Sequence, residues 1–203
     1  SASFYMYMSL QKKIEFLENR KMRRINILHI SDVHIQKKEV EEIREIIDKL
    51  IADIKKVQNE KKIKIDLICF TGDLIQCGDK AFEEEGQWNL AKEILVNPLL
   101  NELNLSEDRF ISVPGNHEVD TSVIVPRLEK GLQIDSLQDI NEVMDNFDES
   151  YIKRLAYYYE IVKKQLPNAI INTPGYSYQI QINGINVGIA CVDSAWRSSG
   201  KGR

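Results

Sequence analysis

The sequence predicts an α/β fold, with a largely parallel sheet flanked by helices, a helical insertion and a β-hairpin. In the first half of the chain, a short apolar run, a loop and a segment of helical periodicity follow one another repeatedly. This alternation is typical of parallel strands joined by right-handed helical crossovers. Nearer the C-terminus, two apolar segments flank Asn183-Gly184, a dipeptide that strongly favours a tight hairpin.

Residues 1–24 are predicted to form a leader that precedes the domain. Within it, Leu10, Ile14 and Leu17 repeat at helical spacing and indicate a short amphipathic helix. Residues 25–203 are enough for one domain with its own core. We therefore divide the chain into a leader helix and a single α/β domain.

Apolar runs at residues 25–30, 65–70 and 109–113 are predicted to be buried strands. Segments of helical periodicity follow the first two runs, at residues 39–58 and 82–103. In parallel α/β sheets, ligands bind beyond the carboxyl ends of the strands. The loops that follow these runs are therefore where a functional site is expected.

The later part of the chain is predicted to be helical and then to form the hairpin. Residues 121–166 carry a helical pattern in which tyrosines recur on one face. We interpret this range as an inserted helical pair or lid, with the tyrosine stripe used for packing. Residues 176–182 and 185–192 are the two hairpin strands around Asn183-Gly184.

Composition limits the classes of function. Apolar residues make up 43% of the chain and charged residues 29%, with a formal net charge of −4, the balance of an ordinary globular domain. The pI of about 5.5 lacks the basic signature of a general nucleic-acid binder, so nucleic acid stays possible but unsupported. No apolar run approaches the ~20 residues of a membrane helix, so no membrane partner is expected.

The cysteines indicate a reducing compartment. Cys69, Cys77 and Cys191 are odd in number and widely spaced, a pattern that does not suggest a disulfide framework. Cysteines within apolar runs usually act as small hydrophobic residues. The sequence therefore predicts a cytoplasmic protein.

Potential metal ligands follow each of the early strands. Asp32 and His34 follow the first run, Asp73 follows the second, and Asn116 and His117 follow the third. Asp32 and His34 are two positions apart, and in an extended chain such side chains project to the same side. A carboxylate and an imidazole are therefore expected to reach one ion.

The second and third loops add donors with different capacities. Asp73 follows Gly72, and its two carboxylate oxygens can each hold a different ion. Asn116 offers a neutral carbonyl oxygen to a second ion, and His117 can give or take a proton at the reacting group. The set suits two ions ~3.5–4 Å apart that promote an in-line displacement at phosphorus.

Each of these short patterns also has a structural interpretation. A D-x-H triplet is common by chance, and Gly-Asp ends many turns. His29, inside an apolar run, is interpreted as a hydrogen-bonded core histidine. The functional interpretation depends on the order and spacing of the motifs at successive strand ends.

The chain resembles the calcineurin-like metallophosphoesterase superfamily over roughly residues 25–196. The motifs that carry the resemblance are Asp32-Val33-His34, Gly72-Asp73-Leu74 and Gly115-Asn116-His117-Glu118. The resemblance implies the first half of an αββα sandwich, with phosphoester substrates and two divalent ions, Mn, Fe or Zn.

The resemblance also assigns roles to individual residues. Asp32, His34 and Asp73 look like ligands of the first ion, and Asp73 and Asn116 like ligands of the second. His117 looks like the catalytic proton donor. Glu118 stands where many members of the superfamily carry Asp, and an orienting role is expected for it.

One departure from the family pattern is clear. Members carry a further histidine and then a Gly-His-x-His motif, whereas this chain has only His29, His34 and His117. We therefore expect an N-terminal fragment, with the remainder of the catalytic domain or a further domain after Arg203. The isolated chain is expected to hold at most one ion weakly and to be weak or inactive.

Two classes of function remain open. The first is a hydrolase, with phosphomonoesterase, phosphodiesterase and nuclease not separated by these motifs. The second is a non-catalytic regulatory or interaction module that contacts partners through residues 121–166. A generic α/β protein with accidental motifs is a third and weaker interpretation.

Overall fold

The structure is a computed structural model that describes residues 24–76, 86–124, 135–145, 153–172 and 174–198. The leader helix predicted through Leu10, Ile14 and Leu17 lies outside the described residues.

A parallel sheet forms the first layer. It contains β1 (Ile27–Ile30), β2 (Leu67–Thr71) and β3 (Phe110–Val113) in the order β1-β2-β3. Both strand pairs are parallel, with Ile27 opposite Leu67 and Ile68 opposite Phe110. The predicted parallel arrangement is confirmed, so the carboxyl ends of all three strands lie at one edge of the sheet.

Helices cover one face of this sheet. A 3-10 turn at Lys37–Glu39 leads into α1 (Val40–Lys61), which ends at Lys62 in the left-handed conformation, with φ 52°. The next helical stretch consists of α2 (Gln87–Ala91), a π turn (Lys92–Val96) and α3 (Asn97–Leu103).

The π turn has a local cause. Pro98 lies in the first turn of α3, and a proline ring clashes with the carbonyl four residues earlier and offers no N–H to it. That carbonyl belongs to Ile94, inside the π turn. A single wider turn at that position accommodates the ring without ending the helix.

The second half contains two more helices and a second sheet. The helices are α4 (Leu137–Asp145) and α5 (Ala156–Gln165), both within the range predicted as a helical insertion. The strands β4 (Ile170–Ile171), β5 (Gly175–Ile182) and β6 (Ile185–Val192) form an antiparallel sheet in that order. The two-residue β4 was not predicted, since so short a segment has no periodicity.

The hairpin turn between β5 and β6 agrees with its sequence. Asn183 and Gly184 have φ of 51° and 73°, and positive φ at both central residues is the requirement of the type I′ turn. Ile182 lies opposite Ile185 in the register. The hairpin prediction is therefore confirmed.

The parallel sheet separates two apolar cores. Along β2, Ile68 and Phe70 pack with α1, α2 and α3, whereas Leu67 belongs to the core on the opposite face, as the alternation of side chains along a strand requires. The second core also contains buried tyrosines of α5 and residues of β5 and β6. Its fully or nearly buried aromatic residues are Tyr158, Tyr159, Tyr176 and Tyr178.

The prediction that β1 is a buried strand was wrong for one of its faces. Leu28 and Ile30 pack against the helical core, but Ile27 is 54% exposed. His29 is exposed as well, so it is not a core histidine, although its Nε2 lies 2.7 Å from Oγ1 of Thr71. Among the described strands β1 stands at the sheet edge, and side-chain pattern alone does not reveal which faces are covered.

No helix within the described ranges is both long enough and apolar enough to span a lipid bilayer.

Candidate metal centre

The loops after β1 and β2 are held together by backbone hydrogen bonds. The N–H of Asp32 donates to the carbonyl of Gly72 at 3.0 Å, and the N–H of His34 donates to the carbonyl of Asp73 at 2.9 Å. An isolated parallel bridge between Ile35 and Ile75, both fully buried, continues the pairing. The sheet is thereby extended beyond the strand ends, and it fixes Asp32 and His34 beside Asp73.

The site residues adopt an uncommon backbone conformation. Asp32, His34 and Asp73 have φ of 57°, 52° and 57°, in the left-handed region that few non-glycine residues occupy. Asp32 and His34 are therefore not in extended chain, and the alternation argument for their shared side was wrong. They still meet, with 4.0 Å between Oδ1 of Asp32 and Nε2 of His34, because the paired loops turn both side chains to the same place.

Two glycines allow the loops after β2 and β3 to touch. Gly72 has φ 97°, and a Cβ placed there would lie 3.0 Å from Cα of Gly115. A Cβ on Gly115 would overlap the carboxylate and the main-chain nitrogen of Asp73. Both positions therefore require glycine for close approach of the loop backbones.

These loops bring together three groups that can bind a metal. His34, Asp73 and His117 each offer a ligand atom, and these atoms all lie within 4.8 Å of one another. The rings of His34 and His117 meet edge to face, with 4.6 Å between centroids. All three residues are half-buried, so an ion there would be reachable from solvent while partly shielded from it.

The other two predicted ligands lie on the same loops, one or two residues along the chain from members of this group. The Asp32 side chain, beside His34, is 65% exposed. Asn116 begins the 3-10 turn Asn116–Glu118 and is half-buried. His117, predicted to stand apart as a proton donor, lies within the group of possible ligands itself.

The ring of His117 is oriented by a main-chain carbonyl. Its Nδ1 lies 2.7 Å from the carbonyl oxygen of Gln76, and a carbonyl only accepts, so Nδ1 carries the proton and donates. This arrangement leaves Nε2 for an ion or a substrate. Sequence reasoning missed Gln76, because a residue that acts through its backbone leaves no mark in its side-chain type.

Glu118 has more contacts than its expected orienting role suggested. Its side chain is 2% exposed and accepts hydrogen bonds from backbone N–H groups in both the β2 and the β3 loops. Burial raises the pKa of its carboxyl, and N–H groups of Ile75, Gly115 and Asp73 oppose that rise. Since these neighbours all donate, the carboxylate satisfies them and a protonated acid would not.

A cavity of about 460 Å³ opens beside the two histidines. Its wall is formed by the loop after β1 and the first turns of α1, and it is partly acidic and partly apolar. The lining residues are Val33, His34, Gln36, Glu39, Glu42, Ile43, Ile46, Gln76 and His117. The cavity gives a substrate access to the candidate ligands.

The residues present fit a divalent transition metal. Imidazole and carboxylate donors suit Mn, Fe or Zn. Nδ1 of His34 is buried and has no hydrogen-bond partner within the described part of the chain. A buried polar atom of this kind is normally satisfied, and a metal ion bound through Nδ1 would satisfy it.

The fold and the donor set define an α/β domain with a candidate metal centre at the carboxyl ends of its parallel strands. Comparison with protein-family models matches residues 25–193 to the calcineurin-like phosphoesterase model. The chain belongs to the calcineurin-like phosphoesterase family. A search of curated proteins found no match. Family membership indicates phosphoester hydrolysis in general, with phosphoesters as the class of substrate.

Proposed function

We propose that this protein hydrolyses phosphoester bonds at a dinuclear metal centre built on the strand-end loops. The observation that supports the proposal is the convergence of His34, Asp73 and His117, whose ligand atoms lie within 4.8 Å of one another in a chain of this family. Their position beyond the carboxyl ends of a parallel sheet is where such folds bind ligands.

The ligands divide into two sets. Asp32, His34 and Asp73 would hold the first ion, and Asp73 and Asn116 would hold the second, with Asp73 common to both sets. The proposed ions are Mn, Fe or Zn, because the donors mix carboxylate, amide and imidazole. The chemistry that two such ions supply when bound is activation of water and neutralisation of charge at phosphorus.

His117 supplies the proton to the leaving group. Its Nδ1 donates to the carbonyl of Gln76, which fixes the ring and leaves Nε2 without a part in that bond. A protonated Nε2 can transfer its proton to the departing oxygen. General acid catalysis of this kind contributes about 10²–10⁴ in rate.

The ligands assigned above are too few for two ions. The chain has three histidines, and His29 faces Thr71 instead of the site. The second ion is left with Asp73 and Asn116. We propose that further ligands come from additional polypeptide, and that the 203-residue chain alone binds one ion weakly and turns over slowly.

A cytoplasmic location is part of the proposal. Cys69 and Cys191 are free thiols in the described structure. Burial raises the pKa of both thiols, so they stay protonated and act as apolar side chains. Free thiols of this kind suit a reducing compartment.

Replacing Asp73 by Asn tests the hydrolase directly. Asp73→Asn removes the proposed bridging charge, so Mn²⁺ binding by titration calorimetry and hydrolysis of an aryl phosphoester should both fall below detection. Asp53→Asn, which removes an exposed carboxylate on α1, is the matched control and should change neither. Unaltered Mn²⁺ binding in Asp73→Asn would refute the proposed centre.

A second candidate is a non-catalytic interaction module. Within residues 121–166, Leu137 is 78% exposed, and Ile140 and Tyr157 are exposed as well. Apolar side chains of this kind are available for a partner. Metal binding without turnover, even with the complete ligand set, would favour this candidate over the hydrolase.

A further inference from the structure

Glu118 joins the loops after β2 and β3 through four backbone hydrogen bonds. Its Oε2 accepts from the N–H of Asp73 at 2.9 Å and of Gly115 at 2.6 Å. Its Oε1 accepts from the N–H of Leu74 at 2.7 Å and of Ile75 at 3.1 Å. One buried carboxylate therefore satisfies donors from two separate segments of the chain.

The backbone conformation explains why these donors converge. Gly72 has φ 97° and Asp73 has φ 57°, and left-handed residues in such a turn direct successive N–H groups toward a common point. A concavity of this kind binds anions. The bound anion here is the side chain of Glu118, so the concavity is filled from within the protein.

Without the carboxylate, these N–H groups would be left without their acceptor. Leu74 and Ile75 are buried, and unpaired buried N–H groups are costly enough to be rare in native proteins. The left-handed conformation of Asp73 is itself unfavourable for a non-glycine residue. Glu118 thus compensates for a loop conformation that the chain does not prefer.

The same contacts determine where the proposed metal ligands stand. Asp73 is held through its own N–H by Glu118, and its Oδ1 accepts from the N–H of His117 at 3.0 Å. Glu118, next to His117 in the chain, therefore fixes both the bridging carboxylate and the turn that carries the proton donor.

We propose that Glu118 is a positioning residue that sets Asp73 and His117 in their metal-binding geometry before any ion arrives. This inference rests on the proposed function, because it concerns the same centre. Glu118 itself does not touch the ion, since both of its oxygens are occupied by backbone donors. Its effect on the centre passes entirely through the two loops.

Three substitutions of Glu118 separate the contribution of its negative charge from the contributions of its length and of its hydrogen-bond acceptors. Glu118→Gln keeps the size but turns an NH₂ group toward two N–H donors. Glu118→Ala removes every acceptor. Glu118→Asp keeps the carboxylate and shortens the side chain by about 1.5 Å, the length of one carbon–carbon bond, so it should restore part of the effect.

Amide hydrogen exchange tests, independently of metal binding and catalysis, whether Glu118 holds the two loops together. In the metal-free 203-residue chain, the N–H groups of Asp73, Leu74, Ile75 and Gly115 should be protected. Glu118→Gln should lower their protection at least tenfold, and Glu118→Asp should recover part of it. Equal protection in Glu118→Gln and the wild type would overturn the proposal.

Free Mn²⁺, measured by electron paramagnetic resonance, tests the consequence for the centre. Removal of a group that orients metal ligands typically weakens metal affinity about 10–100-fold. We expect a decrease of this size in the Mn²⁺ affinity of Glu118→Gln, and a smaller decrease in Glu118→Asp. Glu107→Gln, on an exposed residue, controls for charge. Leu103→Ala, in the helical core, controls for reduced stability, and both controls should bind Mn²⁺ like the wild type.

The two proposals fail in different ways. A wild-type chain that binds no Mn²⁺ would overturn the proposed function, and with it the claim that Glu118 positions metal ligands. The hydrogen-exchange data would still decide whether Glu118 holds the two loops together. A wild type that binds Mn²⁺ with unchanged affinity in Glu118→Gln would overturn the positioning role alone. Equal weakening in Leu103→Ala would assign the effect to stability and also overturn it.

Discussion

The backbone N–H of His117 donates a hydrogen bond of 3.0 Å to Oδ1 of Asp73. The residue proposed as proton donor and the residue proposed as bridging ligand are therefore tied together by main chain, independently of the imidazole. A substitution at position 117 can remove the imidazole and leave the hold on Asp73 in place. The two roles can thus be separated by experiment.

His117→Ala should lower kcat by about 10²–10⁴ in an enzyme with its complete set of ligands, because the general acid is lost. Metal content should stay nearly unchanged, because alanine keeps the N–H that holds Asp73. Steady-state kinetics and elemental analysis measure the two effects. His29→Ala, which removes an exposed imidazole next to Thr71, is the control and should retain activity.

Loss of metal in His117→Ala would contradict this division of roles. The ring lies among the possible ligands, and a metal-free variant would show that its Nε2 binds an ion. Unchanged turnover would instead remove His117 from catalysis.

Gly115→Ala should destabilise the fold and abolish Mn²⁺ binding. The new Cβ would overlap the Asp73 carboxylate and main-chain nitrogen, and relief requires the two loops to separate. Overpacking of this kind costs about 1–3 kcal/mol, which urea unfolding can resolve. Gly188→Ala is the matched control, since a Cβ there meets nothing within 4 Å, and it should change stability by at most about 0.5 kcal/mol.

A Gly115→Ala variant with wild-type stability and affinity would show that the loops do not pack as closely as described. Equal destabilisation in Gly188→Ala would show that the cost arises from alanine in general and not from the contact with Asp73.

Much of the fold and of the site follows from local sequence signals. The strand runs and the order of the motifs were enough to place Asp73 and His117 at one sheet edge, and Asn183-Gly184 was enough to place the hairpin turn. These signals suffice because apolar runs, positive-φ turns and strand polarity are determined by residue type and chain direction.

Other features depend on contacts between distant segments, which a single sequence does not reveal. The exposure of Ile27 depends on what covers the sheet. The left-handed backbone of His34 arises from loop pairing with Asp73. The role of Gln76 passes through its carbonyl, and the four bonds of Glu118 require the folded loops of two separate strands.

Tyr159→Phe should make stability more sensitive to pH. The hydroxyl of Tyr159 donates to Oδ2 of Asp193 at 2.7 Å. Burial raises the pKa of Asp193 above its ordinary value of 3.8, while hydrogen bonds from Tyr159 and from the backbone N–H groups of Ala195 and Trp196 oppose that rise. Without the hydroxyl, the pKa of Asp193 in the folded protein should rise further.

A raised carboxyl pKa means that the folded state holds the proton of Asp193 more tightly than the unfolded state does. Stability therefore falls as the pH rises from the ordinary pKa of 3.8 through the higher pKa of the folded state. The variant should be less stable than the wild type by about 1.5–3 kcal/mol at pH 7, the contribution of a hydrogen bond to a charged group. The difference in stability between the wild type and Tyr159→Phe should become smaller toward pH 4. Urea unfolding across this range measures it, with Tyr157→Phe on an exposed tyrosine as control. A difference independent of pH would contradict the linkage to Asp193.

The 203-residue chain should bind at most one Mn²⁺, weakly, and hydrolyse an aryl phosphoester at a small fraction of the rate of a protein with the complete ligand set. In the proposed centre, Asp32, His34 and Asp73 would give the first ion three protein ligands, whereas Asp73 and Asn116 would give the second only two. Two ligands are too few to hold an ion against water. Calorimetric titration with Mn²⁺ gives the stoichiometry, and Asp73→Asn should abolish the heat of binding. Two tight sites, or turnover equal to that of a protein with the complete ligand set, would show that ligands within this chain or from a second copy complete the centre.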